Sequence, residues 1–289
     1  MAEPSDEFLD EFDDELPDEP TIETDLTPEE YFAQREPRFG EANPERMVVP
    51  FWQFMVNSGW TAWSARMRFD SACQEYMAAM TEVMPPFDEL QKMSKEEQAA
   101  LSARIPRYKY NGPTWCFSRF GRSETALADG SRVFIAGEHE DWYDPDFHIY
   151  NDVVVIRADK GSDQEIEIYG YPREVFRPTD FHSATLVGDA IYIVGGLGYW
   201  GTQTPGTTPV LRLDLKTFTI VTVPTRGDLP GWIHDHNATY VREHNAIRVR
   251  SGKVLLRFEG KRTRRQNRKT YWLDLATNIW SSGRVPMGR

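Results

Sequence analysis

From Trp115 to Trp280 apolar and polar residues alternate in short runs with a period of two. Runs of four to six such residues, bounded by Gly, Pro, Asn or Asp, predict β-strands. Upstream the spacing is different. Phe51, Trp52, Phe54, Met55, Val56, Trp60, Trp63, Met67, Phe69, Tyr76, Met77 and Met80 fall three and four apart, which predicts helix from Phe51 to Met84. Gly59 is expected to separate two helices, and Pro85-Pro86 to end the second. Thr27-Pro28-Glu29-Glu30 and Ser94-Lys95-Glu96-Glu97 carry capping boxes. They predict helix starts, the second helix running to about Arg104. So apolar a segment as Phe51–Met84 is expected to pack on the β region, or else to meet a second chain.

The strand region repeats itself. His182–Val187, a turn at Gly188-Asp189 and Ile191–Gly196 form a two-strand unit, followed by Val210–Leu215 and Phe218–Val223. An earlier unit runs Ser123–Ala128, Arg132–Gly137, Asn151–Ile156 and Glu165–Gly170. A later one runs His236–Val241, Ala246–Gly252, Tyr271–Leu275 and a strand near Ile279-Trp280. His182 and His236 are 54 residues apart, and Leu213-Asp214-Leu215 with Thr217 recurs 60 residues on as Leu273-Asp274-Leu275 with Thr277. A period of this size with four strands per unit is that of propeller-like sheets. The Asp-x-x-Thr pairs predict polar turns between the third and fourth strands.

Ile193-Val194-Gly195-Gly196, Leu213-Asp214-x-x-Thr217 and Tyr271…Asp274-x-x-Thr277-x-x-Trp280 resemble kelch repeats over about residues 115–285. The resemblance implies an array of antiparallel four-stranded β-sheets, and, most often, protein binding through the loop face. Kelch propellers close with at least four sheets, whereas this length holds about three. The array is therefore expected to be an incomplete propeller, its open sheet edges covered by the Phe51–Met84 helices or by another chain. The fold class expected is α+β: an acidic disordered tail over residues 1–26, a helical segment over 27–110 and a kelch-like domain over 111–289.

Charge changes the picture at one end. The net charge is −12, but residues 1–30 hold fourteen Asp and Glu and no Lys or Arg, which leaves a formal +2 for the remainder. The tail, with Phe8, Leu9, Phe12 and Leu16 among its acids, is expected to be disordered and suited to docking on a basic surface. Lys261-Arg262-Thr263-Arg264-Arg265-Gln266-Asn267-Arg268-Lys269 is such a surface, and one expected occupant is the tail itself. This run alone is weak support for nucleic acid, which is not an expected partner. No apolar run reaches membrane-spanning length, and two cysteines, Cys73 and Cys116, imply no disulfide framework. With the acidic N-terminus, these features predict a cytoplasmic protein without membrane partners.

Strand alternation brings the loop before the first strand and the loop after the second to one face. Five of the six histidines lie in or beside those loops. Trp142, Tyr143, Tyr199, Trp200 and Trp232 are the expected anchors for a protein partner. His139, Asp180, His182, His234 and His236 are the alternative, a metal-ligating set for a metal-dependent enzyme. His182 and His236 start equivalent strands, which suits a structural role instead. The carboxylates of Glu138, Glu140, Asp141, Asp144 and Asp146 define no acid–base pair. Gly196-x-Gly198-x-x-Gly201 precedes Pro205 and Pro209 rather than a helix, so it is not a dinucleotide site. Cys116, between Trp115 and Phe117, is expected to be a buried structural thiol. No cofactor is expected. The leading expectation is a protein-interaction module, with homo-oligomerisation open. The other readings are the metal enzyme and an acidic inhibitor or immunity-type protein.

Overall fold

A computed structural model describes residues 24–109, 112–139, 146–158, 165–258 and 261–283. It is a mixed α+β chain with several antiparallel sheets. Helix α1 (Pro28–Gln34) starts on the Thr27–Glu30 capping box. Helix α2 (Pro50–Ser58) ends on Gly59 in the left-handed conformation. Helices α3 (Ala62–Phe69) and α4 (Ser71–Val83) divide what the spacing predicts as one helix. Asp70 makes the break. Its backbone is extended, and its carboxylate accepts the N–H groups of Ala72 and Cys73, so it caps the second piece. A short α5 (Phe87–Leu90) and α6 (Lys95–Ser102), with the Ser94–Glu97 capping box, complete the helices. No described helix is long and apolar enough to cross a membrane.

The strands follow in order. The first sheet holds β1 (Glu45–Arg46), β2 (Ser123–Ala126), β3 (Arg132–Ile135), β6 (Val153–Ile156) and β7 (Ile166–Gly170). A small hairpin, β4 (Glu138–His139) with β5 (His148–Ile149), leaves it between β3 and β6. The second sheet is β8 (Ser183–Val187), β9 (Ala190–Val194), β10 (Val210–Asp214) and β11 (Ile220–Thr222). The third begins with β12 (Arg226–Gly227) and, after β13 (Trp232–His234), takes in β14 (Asn237–Val241) and β15 (Ala246–Arg250). A hairpin of β16 (Lys253–Phe258) and β17 (Lys261–Gln266) then pairs with β13, and β18 (Tyr271–Asp274) with β19 (Ile279–Ser282) closes the third sheet.

Alternation of side chains decides how these layers stack. Phe134, Val154 and Ile168 of the first sheet share a core with Phe51, Trp52 and Met55 of α2. Val133, Ile135 and Val155, on the other face, share a core with Ile191, Ile193 and Leu213 of the second sheet. The second sheet's far face gives Val194 and Val210 to a core with Ile247, Val249 and Leu273 of the third. The order of layers is thus helices, first sheet, second sheet, third sheet. The helices cover a sheet face rather than the sheet edges. Burial also falls off along them: four of the nine residues of α2 and five of the eight of α3 are buried, whereas in α4, α5 and α6 only Cys73 is. The second sheet's outer edge is met by Asn43, whose side-chain amide donates to Ile220 O at 2.8 Å and accepts from Ile220 N at 2.9 Å.

Successive sheets repeat their backbone geometry. Ala136-Gly137, Gly195-Gly196 and Ser251-Gly252 all have positive φ at the ends of β3, β9 and β15. Gly121, Phe181 and Asp235, two residues before β2, β8 and β14, do too. A ladder joins these three: Phe181 N donates to Gly121 O and Asp235 N to Phe181 O, each at 2.8 Å. The Asp214 carboxylate accepts the N–H groups of Lys216 and Thr217, and the Asp274 carboxylate those of Ala276 and Thr277. These are the polar turns that the Asp-x-x-Thr spacing predicts.

Candidate functional site

Strands β2, β8 and β14, one from each sheet, are neighbours, β8 lying against both β2 and β14. The turns at one end of this row therefore meet. There they enclose a cavity of about 680 Å³. Its wall takes Glu138 from β4, Phe147 from the segment before β5, Asp180 from the turn before β8, Tyr199 and Trp200 from the turn after β9, and Arg264 from β17. Three loops that are far apart in sequence are thus held around one space.

The turn bearing Tyr199 and Trp200 is fixed from several sides. Gly198 N donates to Asp180 Oδ1 at 2.6 Å. Thr202 Oγ1 donates to Tyr199 O at 2.8 Å, and Gln203 Nε2 to Leu197 O at 3.1 Å. The Tyr199 hydroxyl accepts the Ile149 N–H at 2.8 Å, and the Phe147 ring meets the Tyr199 ring edge-on at 5.8 Å. Trp200 projects from this platform, 71% exposed. Asp180 is wholly buried, and burial pushes its carboxyl above the usual range, against the lowering by the Gly198 N–H and a hydrogen bond with Glu138. It supports the turn from below.

Trp232 is not an anchor. It is 2% exposed, its indole N–H points to Leu197 O at 3.3 Å, and the Arg177 guanidinium lies 4.2 Å from its ring centre. Pairing of β13 with β16 carries it inward beneath the Trp200 turn. Trp142 and Tyr143 lie outside the described residues, as do Glu140, Asp141 and Asp144.

The histidines are separated by the repeat. His182 Nε2 is 2.8 Å from Ser123 Oγ, and His236 Nε2 is 2.9 Å from Ser183 Oγ. His182 thus joins the start of β8 to β2, and His236 the start of β14 to β8. Burial lowers the pKa of His182 to about 3 and that of His236 to about 4, with a further lowering between neighbouring imidazoles. His234 is also buried, its pKa lowered to about 4 by burial and by Arg264. His139 faces His148 across the β4–β5 pair. Among the described residues no three His, Cys, Asp or Glu side chains gather as a metal site, so His139, Asp180, His182, His234 and His236 form no ligand set. Cys116 is buried and is in no disulfide among the described residues.

Two ion pairs account for other charges near this end. Arg66 of α3 meets Asp146 at 2.5 Å with both side chains buried, so Asp146 anchors a helix to the loop before β5. Arg119 Nη2 donates to Asp152 Oδ2 at 2.9 Å, and the Trp115 indole N–H donates to the same oxygen at 2.9 Å. Removing one partner from such a buried pair leaves an uncompensated charge. Arg264 is the cavity residue that sequence reasoning missed, reading it only as part of the basic run Lys261–Lys269. The apolar run Val254-Leu255-Leu256, with Phe258 after Arg257, was its one signal, since a strand there requires a returning partner. Neither a family model nor a curated protein matches the chain.

Proposed function

We infer that the chain is a kelch-like array that binds a protein partner at its loop end, with Trp200 as the central anchor. The kelch-like reading is supported by the repeated positive-φ pairs, the two Asp-x-x-Thr turns and the Ser–His bonds from sheet to sheet. One observation carries the binding reading. Trp200 stands 71% exposed at the mouth of a cavity of about 680 Å³ whose walls come from successive sheets. An indole held in water on a pinned turn loses little further freedom on binding and can bury about 150–250 Å². Phe147 and Tyr199 give the cavity apolar walls, and Glu138 and Arg264 give it opposite charges with which to orient a partner. Trp142 and Tyr143, which follow Glu138 in sequence, are the other proposed anchors.

The test uses a photoreactive phenylalanine analogue at position 200 of the full-length chain. Position 48 is the control, since Val48 is 72% exposed and lies between β1 and α2. Irradiation in native lysate should give discrete protein adducts from position 200 and none in common with position 48. Trp200→Ala should weaken capture of the adduct partner at least tenfold, as expected for an anchor worth about 1.4 kcal/mol or more. Identical adduct patterns from both positions would reject the site.

A further inference from the structure

The β16–β17 hairpin has two faces. Arg264 is on the face that lines the loop-end cavity, and its register partner Leu255 is buried. On the other face Val254 is paired with Arg265 and Leu256 with Thr263. That face opens on a separate groove of about 320 Å³, lined by Val254, Leu256, Arg265, Arg268, Lys269 and Tyr271. Leu256 is 37% exposed, and Arg265, Arg268 and Lys269 are exposed. These three cations form no ion pair among the described residues. Their turn is nonetheless built. Asn267 donates to Ser251 O and Lys269 O at 3.0 Å each and accepts the Lys269 N–H at 2.9 Å. Strand β17 is also at the edge of its sheet, with β16 on one side and no described strand on the other. A groove with apolar floor, cationic rim and a free strand edge suits an extended segment that alternates acids with large apolar residues.

The chain contains such a segment. Residues 1–23 hold eleven Asp and Glu and no Lys or Arg, with Phe8, Leu9, Phe12, Leu16 and Ile22 between them. The described chain begins at Thr24, and Leu26 packs on the core shared by the helices and the first sheet. Twenty-three residues reach about 75 Å when extended, against a diameter of about 50 Å for a compact chain of this length. Position does not forbid the contact, and charge favours it. We propose that residues 1–23 dock in the groove beside Arg265, Arg268 and Lys269 of the same chain, an intramolecular cap distinct from the loop-end surface.

Zero-length carbodiimide coupling tests this on the full-length protein, because it joins a carboxylate to an ammonium group only in contact. Mass spectrometry at low salt should find residues 1–23 linked to Lys269 in preference to Lys92, Lys95 and Lys109 on the helical side. The yield should fall at least fivefold in 0.5 M NaCl, where charge attraction is screened. Arg265→Gln with Arg268→Gln keeps the Lys269 handle but removes the attraction, and should lower the yield similarly. Mixing ¹⁵N-labelled and unlabelled chains should give links within one isotope only. Mixed-isotope links would assign the groove to a second copy, and equal coupling to the helical-side lysines would assign it no site. Tight binding of duplex DNA by the full-length chain at 150 mM salt, lost in the double variant, would assign the groove to nucleic-acid phosphate. Any of these three results overturns the proposal.

Discussion

His182 and His236 occupy the seams between sheets, and their chemistry fixes how the molecule responds to acid. Both are held neutral in the fold, with pKa values near 3 and near 4 against an ordinary value of 6.5. Above pH 6.5 the folded and unfolded chains carry the same charge at these positions, so stability there is unaffected by them. As pH falls below 6.5, the unfolded chain takes up protons that the folded chain refuses, and stability falls until the folded pKa is reached. At pH 5 the loss is about 2 kcal/mol for each histidine. Carboxylates held low in the fold, such as Glu45 and Asp214, act in a more acidic window, below their unfolded values of about 4 to 4.5. Urea unfolding should therefore show stability nearly level from pH 7.5 to about 6.5 and falling from there to pH 5. His182→Gln can still reach Ser123 but does not titrate, and should flatten the slope by up to about 1.4 kcal/mol per pH unit. An unchanged slope would mean that His182 is protonated in the folded chain.

Helices differ in what they contribute. Trp52 of α2 is stacked on Trp115, ring centres 5.1 Å apart, and its indole N–H donates to Gln34 O at 2.8 Å. It is 1% exposed, so Trp52→Ala should cost about 3–5 kcal/mol. Phe87→Ala on α5, where the ring is 70% exposed, should change stability by less than about 0.5 kcal/mol. Chemical denaturation of both variants checks the contrast, and equal losses would show that α5 is buried in solution. The same contrast marks what could be read from sequence. Strand alternation, the capping boxes and the Asp214 and Asp274 turns were legible because each depends on residues within a few positions. The break at Asp70 was less so, since a capping aspartate inside a helical spacing competes with an uninterrupted helix. Trp232 and Arg264 were misplaced because their orientation is set by β13 pairing with β16 and β16 with β17, contacts that no local pattern displays. A tryptophan beside polar loop residues reads the same whether it points out, as Trp200 does, or in.

A stack of sheets must also end. At one side α1, α2 and α3 cover the first sheet, giving their apolar residues to its outer face. At the other side the third sheet ends the stack through its own composition. Ile247, Val249 and Leu273 face inward to the second sheet. Side chains in the alternate register face away, and across β14, β15, β18 and β19 one row of them reads Thr239, Arg248, Trp272 and Ser281. The Arg248 guanidinium lies over the Trp272 ring at 5.8 Å, and His244 meets the same ring edge-on, so the one large apolar group in the row is covered. A polar outer face is what a terminal unit of a repeat array needs to remain soluble. Thr239→Val with Arg248→Leu would uncover Trp272 and join it to a contiguous apolar face, the condition for stacking on another sheet. The double variant should shift sedimentation from the wild-type species toward larger, concentration-dependent ones, while His244→Ala alone should leave it nearly unchanged. Absence of any shift at tens of micromolar would mean that termination depends on something other than this face, and the helices at the opposite side would then be the element to vary.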